Sequence, residues 1–389
     1  MATSNVYGNG LNSTAGANTI VHYYDRAGIK AANRVNVYGQ FVSRKDMPTK
    51  MGKTFKISKF LHMYDRSPND AEFGAKGYLT ARTADEVSLA LTNASLSEGA
   101  GAVNKRSLQK ITVETSLARY GEMIDYTDEV DLFSEDYIQV KYREELGELA
   151  NSRQEDLLQL DMLGTPTRLY SGAATSIGTV GGEAVVDGST DATSKVSYDL
   201  IRKAVKKLTR NRAKKNTSLV TGSTKIDTKT VARAFYAVID ADVKTDLENL
   251  VRGSSYEKEF AWIPVQKYGD AATIADGEVG AMYEVRFIEA EAAVVYAGKG
   301  ANVPAAYTGS LASTGGKFDV HAILFPTEGS FATVGLKGQG KINFKSKSPE
   351  EVELVNPYGT TGFFSYNFFY AGIILEPEKL LAVYCGASK

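Results

Sequence analysis

The sequence is short of the side chains that usually carry catalytic or metal chemistry. It has one cysteine and three histidines in 389 residues. Cys385 alone excludes a disulfide framework within one chain and any cysteine-based zinc site. His22, His62 and His321 stand apart, none with a second ligand at a metal-binding spacing such as H-x-x-x-H, so each is read as structural. No G-x-S-x-G elbow is present, and Cys385, behind a strand and four residues from the end, is poorly placed as a nucleophile. No apolar run approaches the ~18 residues of a membrane-spanning helix. The opening Met1-Ala-Thr-Ser-Asn-Val-Tyr-Gly lacks the basic and apolar regions of a signal peptide. The expectation is a soluble product of a reducing cytoplasm with no membrane partner. An excess of charge is missing as well: 45 Lys+Arg stand against 46 Asp+Glu. That balance argues against a whole-surface grip on DNA or on an anionic membrane.

What is present is ordinary globular composition, 43% hydrophobic and 23% charged, with 36 glycines to supply turns and strand ends. At roughly 150 residues per domain the length predicts two or three domains or one elaborated domain. Such a chain buries enough surface to fold without disulfides or metal.

The first ~45 residues are rich in Gly, Asn, Ser, Thr and Ala. Isolated anchors (Ile20, Val21, Tyr23, Tyr24, Val35, Val37, Tyr38) predict an extended arm that lies on another surface, such as a neighbouring subunit. From Lys53 the run Thr-Phe-Lys-Ile-Ser-Lys-Phe alternates as a half-solvated strand does, and Gln109 to Leu117 alternates likewise. The polar stretch between them makes a long protruding hairpin, whose unpaired edges are a liability in a monomer and useful in a lattice.

From about Asp131 to Leu163 the period becomes helical, with Ser134 as cap and Ile138, Tyr142, Leu146, Leu149, Leu157 and Leu160 as one apolar stripe. Glu144, Glu145, Glu148, Glu155 and Asp156 lie off that stripe. Gly164-Thr-Pro166 ends the helix. A Gly/Ser/Thr/Ala loop follows over 171–195. A second helix runs from the Ser197 cap to about Thr209, and a third pattern after Asp227 places Val231, Ala234, Phe235 and Val238 inward and extends toward Leu250. From Glu284 onward strands dominate, so the fold class is α+β with a mainly antiparallel second half.

The sequence offers no reaction and calls for no cofactor. Gly335-Leu-Lys-Gly-Gln-Gly340-Lys341 fits seven positions of a phosphate loop, but the eighth is Ile342 instead of Ser or Thr, and a strand follows where a helix should open. Acid pairs such as Glu144/Glu145 or Asp240/Asp242 are expected by chance among 46 carboxylates.

Two charged stretches stand out. Arg202, Lys203, Lys206, Lys207 and Arg210 share one helix face, within a run to Lys215 of eight bases and no acid. Glu122–Asp161 holds thirteen Asp/Glu against three Lys/Arg. The basic run is open to three readings: a solvated face, a grip on DNA phosphates, or one half of a self-complementary contact with Glu144, Glu145 and Glu148 of another copy. No aromatic stacking platform accompanies it, which weakens the DNA reading. The strand Phe363-Phe-Ser-Tyr-Asn-Phe-Phe-Tyr370 puts Phe364, Tyr366, Phe368 and Tyr370 on one side, suited to packing on the long helix. A carbohydrate-binding face is its alternative.

Arm, long hairpin, acidic spine helix and returning antiparallel strands together resemble the major capsid proteins of tailed bacteriophages with the Hong Kong 97-type fold. Asp276-Gly-Glu-Val-Gly-Ala-Met-Tyr-Glu-Val-Arg-Phe-Ile-Glu resembles that family's G-E-[IV]-G…V-R-F-[IV]-E segment. The stretch from Asn356-Pro-Tyr-Gly to Ile374-Leu-Glu-Pro-Glu378 resembles the ending of podophage capsid proteins, with Phe363 or Phe364 in place of the usual Trp and Glu376 in place of Asn. The resemblance implies an N-terminal arm over 1–50, an extended loop over 51–115, a peripheral domain over 116–170 and 342–389, and an axial domain over 171–341. It implies a non-enzymatic subunit that assembles with itself, in hexamers and pentamers, into an icosahedral shell in the host cytoplasm and the virion. Portal, scaffolding and decoration proteins would be partners, with double-stranded DNA on the inner face. A DNA-packaging protein built on Arg202–Lys215 and a virion receptor- or sugar-binding protein built on the aromatic strand are the rival readings.

Overall fold

The computed structural model describes residues 36–60, 83–95, 98, 108, 110–133, 138–223, 228–250, 262–269, 274–338, 342–351 and 356–389. Its first half holds β1 (Ser43–Met47), β2 (Thr54–Phe60), α1 (Ala84–Ala94), β3 (Lys110–Ser116), β4 (Ala118–Thr127), α2 (Asp128–Phe133) and the long α3 (Ile138–Leu163). Next come β5 (Arg168–Tyr170), α4 (Asp191–Ser194), α5 (Tyr198–Arg210), β6 (Phe235–Ile239), α6 (Ala241–Glu248), β7 (Ile263–Pro264), β8 (Glu278–Met282) and β9 (Val285–Glu289). The remainder is strand: β10 (Val295–Tyr296), β11 (Ser313–Thr314), β12 (Lys317–Phe318), β13 (Val320–Phe325), β14 (Phe331–Leu336), β15 (Asn343–Lys347), β16 (Thr361–Ile374) and β17 (Leu381–Cys385).

Two sheets organise these elements. In the five-stranded sheet, the fourteen-residue β16 lies between β4, paired along Thr361–Tyr370, and β15, paired along Phe363–Asn367. Its last residues pair with β14, which in turn carries β1 in parallel. Alternation along β16 turns Phe364, Tyr366, Phe368 and Tyr370 inward, where they share a core with Leu146, Ala150, Leu158 and Met162 of α3. The aromatic strand therefore packs on the spine helix, as its period requires. Phe363, Ser365, Asn367 and Phe369 of the opposite face are half-buried.

The eight-stranded sheet runs β5-β17-β13-β6-β9-β8-β7, with β10 also on β13. It is covered on both sides, so its central strands are mainly apolar, with His321 of β13 and Arg286 of β9 as buried exceptions. Val320, Ala322 and Leu324 of β13 join the core shared with α3, while Ile323 and Phe325 face the core under α5 and α6. That double burial explains one departure from expectation. The third helical pattern is two elements: Phe-Tyr-Ala-Val-Ile forms β6, parallel to β9, and Asp240 then caps the short α6. Val231, Ala234, Phe235 and Val238 are all buried as expected. A strand buried on both faces has no alternation to separate it from a buried helix.

The hairpin is formed by β2 and β3, in antiparallel register from Thr54 opposite Ser116 to Phe60 opposite Lys110. Its half-buried Phe55, Ile57 and Val113 rest on Met47, Val334 and Ile373 of the five-stranded sheet. The excursion between the strands contains α1, which the polar composition did not suggest.

The spine helix also corrects its expected stripe. Leu160 is 54% exposed, whereas Glu155 and Gln159 are buried. Both serve the segment entering β1: Glu155 Oε1 accepts from the Tyr38 amide, and Gln159 Nε2 donates to Tyr38 Oη at 2.9 Å. A polar pair on an otherwise apolar face is invisible to a pattern that equates burial with hydrophobicity. Helical structure begins at Asp128, but the Ser134 cap, the arm before residue 36, His22 and His62 fall outside the described residues.

Candidate assembly surfaces

The basic face is built by α5. The Ser197 hydroxyl accepts from the Leu200 amide at 3.2 Å, and Leu200, Ile201, Ala204, Val205 and Leu208 bury the inner side. Arg202, Lys203, Lys206 and Arg210 are thereby exposed. Lys207 is half-buried; its Nζ donates to the Arg168 carbonyl at 3.2 Å, and desolvation lowers its pKa. Arg202 lies 3.8 Å from Asp199 and over the Tyr198 ring. Lys203, Lys206 and Arg210 have no ion-pair partner among the described residues.

The acidic face lies on the first half of α3. Glu144 and Glu145 are exposed and Glu148 is half-exposed, with Lys141 Nζ 3.2 Å from Glu144 Oε2. Glu155 does not belong to this surface, and Asp156 is 3.8 Å from Arg153, which also donates to Glu122 at 3.0 Å. Among the described residues no ion pair joins α5 to α3 within the chain.

Elsewhere the polar groups serve the fold. The strand end Gly335-Leu336 and the β15 strand from Asn343 flank the phosphate-loop-like stretch, whose residues 339–341 lie outside the described set. Cys385 is fully buried, and burial with Asp246 nearby pushes its thiol up to about 12, which makes it inert. His321 Nδ1 lies 2.9 Å from Asp240 Oδ2, and ligand atoms of Asp240, Asp242 and His321 fall within 4.8 Å of one another. They are the donor set among the described residues that could hold a metal. Asp240 is already engaged as the α6 cap through the Ala241 amide, at 2.7 Å.

The Gly-Glu-Val-Gly…Val-Arg-Phe segment yields a feature the sequence reading did not foresee. Glu278 and Arg286 are fully buried side chains with Arg286 Nε 3.9 Å from Glu278 Oε1. Arg286 Nη2 donates to the Ser218 carbonyl at 3.1 Å, and its guanidinium lies 5.7 Å from the Tyr268 ring centroid. Desolvation raises the Glu278 pKa against the pull of the Ala275 amide, Tyr268 and Arg286. This pair ties β8 to β9. The second unforeseen element is β4, a ten-residue strand on the edge of the five-stranded sheet.

No family model matches the chain. Over 388 residues it is 28% identical to a protein described as the major capsid protein of Pseudomonas phage KPP21, covering 96% of this chain and 94% of that one. Its fold is similar to that in the capsid of Ralstonia phage GP4, with TM-score 0.59 and 12% identity over 98% of this chain and 99% of the other. A similar match to the capsid of cyanophage P-SCSP1u has TM-score 0.54 and 11% identity over 98% of both chains.

Proposed function

We propose that the chain is a tailed-phage major capsid protein with the Hong Kong 97-type fold, and that its copies meet through complementary charged faces. One observation carries the reading. The likeness to capsid proteins extends over at least 96% of the chain, which supports a single role for the whole of it, that of a shell subunit.

In this proposal the subunits form hexamers and pentamers that close an icosahedral shell. The regions 1–50, 51–115, 116–170 with 342–389, and 171–341 act as arm, extended loop, peripheral and axial domains. Lys203, Lys206 and Arg210 of one copy, with Arg202 and Lys207 beside them, face Glu144, Glu145 and Glu148 of a neighbour. Opposite potentials on separate faces steer identical chains into heterologous contact and disfavour wrong registers. The subunit has no enzymatic role and assembles in the host cytoplasm, where portal, scaffolding and decoration proteins join it. DNA lies against the inner face without sequence readout. Electron microscopy with sedimentation of the chain expressed alone tests the reading. Closed shells or sheets of rings are expected. Discrete oligomers that stay small when scaffold and portal are supplied would overturn it.

A further inference from the structure

The edge strand β4 has its whole outer side open among the described residues: its recorded pairing is with β16 alone. Nine of its ten residues are exposed or half-buried, and Met123 is 69% exposed. Soluble proteins shield such edges with bulges, prolines or covering loops, because an open ladder recruits another strand. Among the described residues no bulge, proline or covering strand guards β4. β4 has no proline, and its register with β16 is unbroken from Thr127 to Ala118.

We propose that β4 pairs antiparallel with β4 of a second copy across a two-fold axis centred on residue 122. This rests on the capsid reading, since a closed shell of identical chains supplies two-fold contacts. The sequence of the strand is self-complementary in that register. Residues whose numbers sum to 244 stand opposite each other, and all such pairs lie on the same face. Arg119 then meets Asp125 of the second copy, and by symmetry Asp125 meets Arg119. Neither has an ion-pair partner in its own chain among the described residues. Tyr120 meets Ile124, an aromatic–β-branched pair of the kind that stabilises sheets. The small Gly121 meets the exposed Met123 and leaves room for it. The one like-charged meeting is Glu122 with itself on the dyad, where each carboxylate is already held by its own Arg153 at 3.0 Å. Shifting the centre to residue 123 would set Asp125 opposite Gly121 and Arg119 opposite Thr127, so the charge pattern selects one register.

Disulfide trapping provides the test, because the single native thiol, Cys385, is fully buried and silent. In assembled particles of the Arg119→Cys/Asp125→Cys chain, mild oxidation should give reducible dimers, since directly opposed residues have Cα atoms at disulfide range. Either single variant should give none. Charge exchange is the second arm. Arg119→Asp or Asp125→Arg alone should weaken dimerisation roughly tenfold, and the double exchange should restore it. Shells that form normally without cross-linking in the double-cysteine chain would overturn the pairing while leaving the capsid reading intact. Cross-linking by a single variant would mean that a different strand or register occupies this edge. Failure of the parent chain to form any shell, even with scaffold and portal, would instead strike the capsid reading.

Discussion

Asp161 and Gly372 show how closely single groups are fitted where α3 meets β16. The Tyr370 hydroxyl donates to Asp161 Oδ2 at 2.8 Å, and desolvation raises the Asp161 pKa against that bond. A folded-state pKa above the unfolded value means that the stability Asp161 contributes is fully present below its unfolded pKa, about 3.9, and is lost as pH rises through its raised folded value. Asp161→Asn keeps an acceptor for Tyr370 and removes the ionisation. We expect it to flatten the pH dependence above about pH 4 and to leave the protein no less stable at neutrality, as read by denaturant midpoints. Gly372 lies against the same carboxylate: an added Cβ would come 2.1 Å from Asp161 Oδ2 and 2.9 Å from the Phe331 ring. Gly372→Ala should destabilise by about 1–3 kcal/mol, the usual range for overpacking. The buried Arg286 is costlier still. Arg286→Met strands Glu278 away from water and should cost about 3–5 kcal/mol, whereas adding Glu278→Gln should recover part of the loss. Equal loss in the single and double variants would show that the pair does not act as a unit.

At the scale of elements, a cap and a terminus illustrate different kinds of legibility. Ser197→Ala removes the hydroxyl that satisfies the Leu200 amide and should lower stability by about 1 kcal/mol, checked by thermal unfolding of the unassembled chain. This cap was readable, because Ser followed by an amphipathic run is a local pattern. β4 was not. Its Ala-Arg-Tyr-Gly-Glu-Met-Ile-Asp run has no clean alternation, since both of its faces are partly solvated at the edge of a sheet. It becomes a strand because β16, some 240 residues later in the chain, offers it ten partners. β6 failed for the opposite reason, being buried on both faces.

At the scale of the whole molecule, segregated charge on a nearly neutral chain predicts assembly that responds to salt. Lys203→Glu/Lys206→Glu should slow shell formation and blunt its salt dependence while leaving the fold intact, followed by light scattering at low and at physiological ionic strength. Normal assembly at every salt concentration would place α5 on a solvated surface instead. The variant also separates the DNA reading, which predicts lost binding to DNA with assembly unchanged.

Composition and periodicity by themselves determined that this chain carries no cysteine framework, that it mixes helices with a mainly antiparallel second half, and that a long helix, a hairpin and an aromatic strand are its main parts. They also placed the basic residues of α5 on one face, because helical spacing is set by the backbone. Tertiary structure alone decided which carboxylates remain surface charges and which serve the interior. Glu145 and Glu155 sit on one helix with the same chemistry, yet only Glu155 meets a buried amide, that of Tyr38, more than a hundred residues earlier. It also decided that Glu278 and Arg286 pair and that β4 has an open edge among the described residues. Those outcomes depend on contacts between segments far apart in the chain, and no local period encodes the partner of a strand or of a buried charge.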